Sequence, residues 1–168
     1  MSASPAITGF APIAAGSARL LILGSMPGVM SLAAGQYYAH PRNAFWPIMA
    51  GLCGFDVALP YARRTRALER AGIAVWDVLH RCERRGSLDS AIDRRSCVAN
   101  ELPAFLAAHP RIRRVAFNGA GAEKLFGRWV LPRLAADDLE FVRLPSTSPA
   151  HTLPLARKAA AWRRLLAD

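Results

Sequence analysis

Apolar and polar positions along the chain fall into short runs dominated by apolar residues and longer amphipathic stretches. Four of the short runs, Leu20–Leu23, Ile73–Trp76, Arg113–Phe117 and Leu139–Leu144, lack helical spacing and read as strands buried on both faces of a parallel sheet. Helical stretches separate them. One starts at Asn43 or Ala44 and runs through Met49 and Leu52, with Pro47 tolerated in its first turn. Others cover Leu59–Ala71, closed by Gly72, then Pro103 to Ala108, Ala120–Phe126 and Leu155–Leu166, whose stripe Leu155, Ala159, Trp162 and Leu166 is expected to be buried. Arg81–Ser96 is polar and reads as a surface excursion with a short helix near Leu88–Ile92, and residues 1–18 read as an irregular arm. The alternation predicts one domain over residues 1–168, a three-layer α/β/α fold around a four-stranded parallel sheet.

Each predicted strand ends in a polar or glycine-rich turn: Gly24-Ser25, Asp77, Asn118-Gly119 and Pro145-Ser146. Ligands bind at that edge of an open α/β sheet. The loop after the first strand is the densest in chemistry, with Tyr37-Tyr38, His40, Arg42-Asn43 behind a proline, then Phe45-Trp46. Stacking and hydrogen-bonding groups in this number read as a site.

Charge narrows the partner. The 168 residues carry a net charge of +10, and all but two of the 22 basic residues are arginine, the residue suited to bidentate phosphate contact. That excess favours a polyanion. The amino terminus lacks a basic segment and a long apolar core, and no apolar run approaches the ~20 residues of a membrane span. The chain is therefore expected in the cytoplasm. Three cysteines, Cys53, Cys82 and Cys97, make no paired framework and are expected to be reduced and structural.

The segments GSMPGxxSL, QYYAHPRNAFW, GIAVWDVLHRCERRGSLDSAI, FNGAGAEKLF and LPSTSPA, in that order, resemble the hypoxanthine (deoxyinosine) DNA glycosylases of the uracil-DNA glycosylase superfamily. The resemblance runs from Leu20 to His151, and its HPxNxFW element is also similar to the mismatch-specific uracil glycosylases. It implies a monofunctional enzyme that hydrolyses the N-glycosidic bond of deoxyinosine in base excision repair, acting on DNA as a monomer without metal or cofactor. The iron–sulfur cluster of some relatives is not expected, because the amino-terminal CxxC is missing.

Such an enzyme flips a nucleotide out, holds the base by stacking and edge hydrogen bonds, and directs water at C1′. The resemblance puts Tyr38 under the flipped base, with Tyr37 and Phe45 as rivals. The superfamily's usual water-directing position, before Pro27, holds Met26, whose thioether cannot polarise water. Asn43 takes that catalytic role by its resemblance to the family's HPxN loop; the competing reading is a helix N-cap. Asp77 occupies the strand-end position that reads the base, where an ionised carboxylate accepts N1–H of hypoxanthine and repels the bare N1 of adenine. Its structural alternative is a cap or an ion pair with an arginine such as Arg85. Backbone groups at Gly28 and beyond Asn118 are expected at the base, and Ser31, Arg42, Ser146, Ser148 and His151 at the DNA, with Pro149-Ala150-His151 as the wedge loop. His40 reads as locked by backbone hydrogen bonds. Both lysines, Lys124 and Lys158, are expected away from the crevice, which excludes Schiff-base chemistry. Two other readings stay open: a uracil or xanthine glycosylase, and a non-catalytic DNA-binding module on this fold. A serine hydrolase is excluded, since GSMPG fails the GxSxG pattern.

Overall fold

A computed structural model describes residues 3–135 and 137–167, without the side chain of Leu165. Four strands, β2 (Leu20–Gly24), β3 (Ile73–Asp77), β6 (Arg114–Asn118) and β7 (Glu140–Leu144), form one parallel sheet in the order β3-β2-β6-β7. Their side chains alternate between two cores. Leu21 and Leu23 point into one with Val115, Phe117 and Phe126, while Ile22 points into the other with Phe45, Met49, Leu68 and Trp162. Helices α2 (Phe45–Cys53), α3 (Tyr61–Arg70) and α6 (Leu155–Leu166) cover the second face, and α4 (Leu102–Ala108) and α5 (Ala120–Trp129) the first. This is the three-layer α/β/α arrangement expected from the alternation of runs.

Four sequence expectations need correction. The polar stretch Arg81–Ser96 is not a loose excursion. Strands β4 (Leu79–Arg84) and β5 (Ile92–Ala99) pair antiparallel, and only Asp89–Ala91 forms a single 3-10 turn between them. The arm is not wholly irregular either: β1 (Ala6–Thr8) pairs with β4 to complete a small sheet β1-β4-β5, and Ile13 bridges to Val75. Its first two residues lie outside those described. A short helix, α1 (Val29–Ala34), follows Gly28 and was not anticipated. Leu155, finally, is 51% exposed, so the buried stripe of α6 starts later, at Lys158, Ala159 and Trp162.

No helix among the described residues is long and apolar enough to cross a membrane. The basic face of α3 is partly structural: the Arg64 guanidinium lies 4.6 Å from the centre of the Trp46 ring and its Nε donates to the Leu59 carbonyl.

Candidate active site

The carboxyl ends of β2 and β3 are paired in register, Gly24 opposite Asp77. This pairing sets the floor of a cavity of about 380 Å³. A β-carbon on Gly24 would collide with Asp77 Oδ1 and stand 3.1 Å from the Tyr38 hydroxyl, so glycine is required there by the space these two groups occupy. Asp77 is 4% exposed, and its Oδ2 has no hydrogen-bond partner. Burial, reinforced by the charge of Asp89 and opposed by the Arg84 guanidinium, pushes its carboxyl up to about 7. The buried Tyr38 hydroxyl likewise makes no well-formed hydrogen bond, and burial and the Asp77 charge, opposed by the neighbouring Asn118 amide, raise its pKa well above the ordinary phenol value. Two unsatisfied buried polar groups facing one cavity call for a ligand.

The tyrosine pair divides its work. Tyr37 is an anchor: its hydroxyl donates to the Ala11 carbonyl at 2.7 Å, its N–H donates to the Tyr61 hydroxyl, and its carbonyl accepts from Trp46 Nε1 at 2.9 Å. Tyr38 adopts φ +55°, the left-handed region that costs a residue with a side chain about 1–3 kcal/mol. Anchoring its neighbour supports that strain. The Phe45 ring stacks on Tyr38 at 4.0 Å and is fully buried, outside the cavity lining. Phe45 therefore cannot touch a base, contrary to expectation; it supports the ring that faces the cavity.

One wall was not read from the sequence. The turn Ser25–Gly28 is fastened to the tip of the β4–β5 hairpin: Ser25 Oγ donates to Asp89 Oδ1 at 2.5 Å, Val29 N–H donates to Ser87 Oγ at 2.9 Å, and Arg84 Nη2 donates to the Pro27 carbonyl at 2.6 Å. Arg84 is 1% exposed and also donates from Nε to the Gly86 carbonyl. Ser87, Leu88 and Asp89 consequently line the cavity beside Gly28. The Gly86-Ser87 turn between two runs was the available signal for a hairpin. Met26 is 6% exposed and belongs to the core beneath the turn.

Opposite stands Asn43, whose Oδ1 accepts the Phe45 N–H at 2.9 Å. This is an Asx turn leading into α2, whose N-cap is Ala44 and has no side-chain cap, so the N-cap alternative for Asn43 is not what the structure shows; the bond leaves one lone pair on Oδ1 and both Nδ2 hydrogens available on the cavity side. His40 also lines the cavity, its Nδ1 accepting the Arg42 N–H at 3.0 Å, the backbone lock expected for it. Asn118 reaches the cavity, but its amide is committed to Thr147: Nδ2 donates to Oγ1 and Oδ1 accepts the Thr147 N–H, both at 2.9 Å. One Nδ2 hydrogen remains. Ser31 is 6% exposed and lines the cavity, with Oγ accepting the Ala39 N–H at 3.1 Å.

The loop after β7 closes the site. Ser146 and Ser148 line the cavity and cap their own turns, with Oγ atoms accepting from the Ser148 and Ala150 N–H groups at 3.2 Å. His151 is exposed at the rim. Arg42 is exposed and lies outside the lining. Helix α6 holds this loop from behind. Trp162 Nε1 donates to the Pro145 carbonyl at 2.8 Å and Lys158 Nζ to the Ser148 carbonyl at 3.0 Å. Lys158, 4% exposed, thus stands directly behind the crevice loop, which corrects the expectation that both lysines lie away from it. Its contact is with backbone and it does not line the cavity. No group of metal-ligating side chains is assembled among the described residues.

A parallel sheet bearing this crevice, with the HPxN loop on one side and the serine loop on the other, defines a class. The family model of the Uracil DNA glycosylase superfamily matches residues 11–168, and the chain belongs to that superfamily. Within it, the chain is 34% identical over 155 residues to the hypoxanthine DNA glycosylase of Methanosarcina barkeri and 30% identical to that of Methanosarcina acetivorans, covering 92% of this chain and 94% of each relative. The solution NMR structure of a candidate uracil DNA glycosylase from Methanosarcina acetivorans superposes with a TM-score of 0.77 at 28% identity, covering 96% of this chain and 99% of that one.

Proposed function

We propose that the protein is a DNA glycosylase that hydrolyses the N-glycosidic bond of deoxyinosine and releases hypoxanthine. The observation that carries this reading is the unpartnered Asp77 Oδ2, buried in the cavity floor next to the Tyr38 hydroxyl. A flipped base lying on Tyr38 presents its edge to that carboxylate. Ionised, the carboxylate accepts N1–H of hypoxanthine and repels the bare N1 of adenine, the normal base from which hypoxanthine arises by deamination. The names of the two Methanosarcina relatives support the same substrate.

In this reading Asn43 is the catalytic residue. Its carboxamide orients the attacking water and faces the positive charge that develops on the deoxyribose, while its bond from the Phe45 N–H fixes the side chain in place. Tyr38, Asp77, one Asn118 N–H and the backbone at Gly28 hold the base. Ser31, Ser146, Ser148 and His151, with Arg42 outside the rim, meet the DNA. One cavity accommodates one nucleotide, so a monomer suffices, and the proposed place of action is the cytoplasm. Uracil is a weaker second substrate, because its N3–H meets the same carboxylate.

The test is base release from matched duplexes carrying one deoxyinosine, deoxyuridine or deoxyxanthosine, revealed by alkaline cleavage, for wild type and Asn43→Ala. Preferential hypoxanthine release that falls by about 10²–10³ in the variant is expected, the scale of losing one transition-state dipole. Strong uracil release with little hypoxanthine reassigns the substrate. DNA binding without release of any base leaves a non-catalytic binding module.

A further inference from the structure

Resting on the glycosylase reading, one chemical requirement stays unmet by the residues above. Water attacking C1′ loses a proton, and an asparagine amide does not take it near neutral pH. Asn43 already accepts one hydrogen bond at Oδ1. Met26 is packed into the core and is no base. Asp77 sits on the floor, where the base edge goes, one strand end below the mouth.

We infer that Asp89, on the hairpin tip, is a further catalytic residue: its carboxylate receives the proton of the attacking water and opposes the positive charge on the deoxyribose. Asp89 lines the same cavity as Asn43 and Asp77, yet it is exposed where Asp77 is 4% exposed. That difference in depth matches the substrate. A base reaching Asp77 leaves its sugar at the level of Asp89. Ser25, the residue beside Met26, donates to Asp89 Oδ1 at 2.5 Å, a length found when a hydroxyl donates to a carboxylate. This bond brings a charged oxygen from the hairpin to the turn where the superfamily's usual position holds a thioether.

The second oxygen, Oδ2, lies over Gly121 in the first turn of α5, at a place that a β-carbon would fill. Glycine there clears room for the carboxylate. The step balances as a hydrolysis: C1′–N9 breaks with its electron pair on the purine, water oxygen bonds to C1′, the water proton passes to Asp89 and on to solvent, and the purine anion takes a proton from solvent.

The alternative is that Asp89 only fastens the hairpin to Ser25. Asp89→Asn separates the two, because the amide oxygen keeps the bond from Ser25 and loses the charge, whereas Ser25→Ala loses the bond and keeps the charge. Single-turnover hypoxanthine release is measured for both with saturating deoxyinosine duplex, alongside DNA affinity and thermal melts. Asp89→Asn is expected to slow release by about 10²–10⁴ with unchanged affinity and melting, while Ser25→Ala slows it far less. Wild-type release by Asp89→Asn, or equal losses in the two variants, overturns the inference and leaves the glycosylase reading intact. Absence of release by the wild-type protein overturns both.

Discussion

Replacing Asp77 by asparagine removes a buried titratable group without changing its shape, and the consequence for stability is set by pH. Burial displaces the Asp77 carboxyl from an ordinary 3.8 to about 7. Below about pH 4 the folded and unfolded chains both hold the proton, and the side chain costs nothing. Between about 4 and 7 the unfolded chain has released it and the folded chain has kept it, so the native state binds more protons and wild-type stability falls as pH rises. Above 7 the folded protein carries a buried charge with an unsatisfied oxygen. At about 1.4 kcal/mol per pH unit, the accumulated cost is on the order of 4 kcal/mol. Asparagine never ionises and escapes it. Urea unfolding of wild type and Asp77→Asn, repeated from pH 4.5 to 8.5, should therefore show the variant gaining on the wild type by several kcal/mol, with the gap levelling above pH 7. Other carboxylates and histidines titrate in both proteins and cancel in the difference. A gap that stays constant within about 1 kcal/mol across this range would refute the reasoning, because it would mean that Asp77 is solvated or paired in the native state. The same substitution should slow hypoxanthine release, the usual exchange of activity for stability at a site that buries a charge.

Three further outcomes are open to direct measurement. Gly24→Ala pushes a methyl group into Asp77 Oδ1 and toward the Tyr38 hydroxyl, so it should cost about 1–3 kcal/mol and much of the activity, whereas Gly16→Ala, in open space, should cost neither. Asn43→Ala should lower stability by only about 1 kcal/mol, the value of one hydrogen bond from the Phe45 N–H, while activity collapses; calorimetry and base release together read this split. Lys158→Met removes the donor to the Ser148 carbonyl, and amide exchange at Ser148–His151 should quicken while the sheet strands keep their protection.

The parallel sheet was legible in the sequence because a strand buried on both faces must be apolar throughout and must stop at a polar or flexible residue. Leu20–Leu23 closed by Gly24 and Ile73–Trp76 closed by Asp77 satisfy both conditions. Tyr38, Asn43 and Asp77 were legible because the motif resemblance fixed their positions, and the structure brings all three to one cavity. The β4–β5 hairpin was hidden by its composition. Along its two strands only Leu79, Cys82, Arg84 and Ile92 are fully buried, and a buried arginine among exposed ones gives no periodic apolar signal. Burial of Lys158 was equally invisible, since its acceptor is a loop carbonyl ten residues away. Phe45 misled for the opposite reason: an aromatic next to polar residues looked like a ligand contact and is a support.

The hairpin wall also divides the molecule by tolerance to change. Its strands belong to a sheet separate from the parallel one, so tip residues between Arg84 and Ile92 other than Ser87 and Asp89, which hold the Ser25–Gly28 turn, can be exchanged without altering the register that pairs Gly24 with Asp77. The cavity floor is thus inherited with the core, while the hairpin tip outside its two anchoring side chains is a replaceable part. Diversification of this enzyme, in nature or in a library, has its cheapest route through those remaining tip positions.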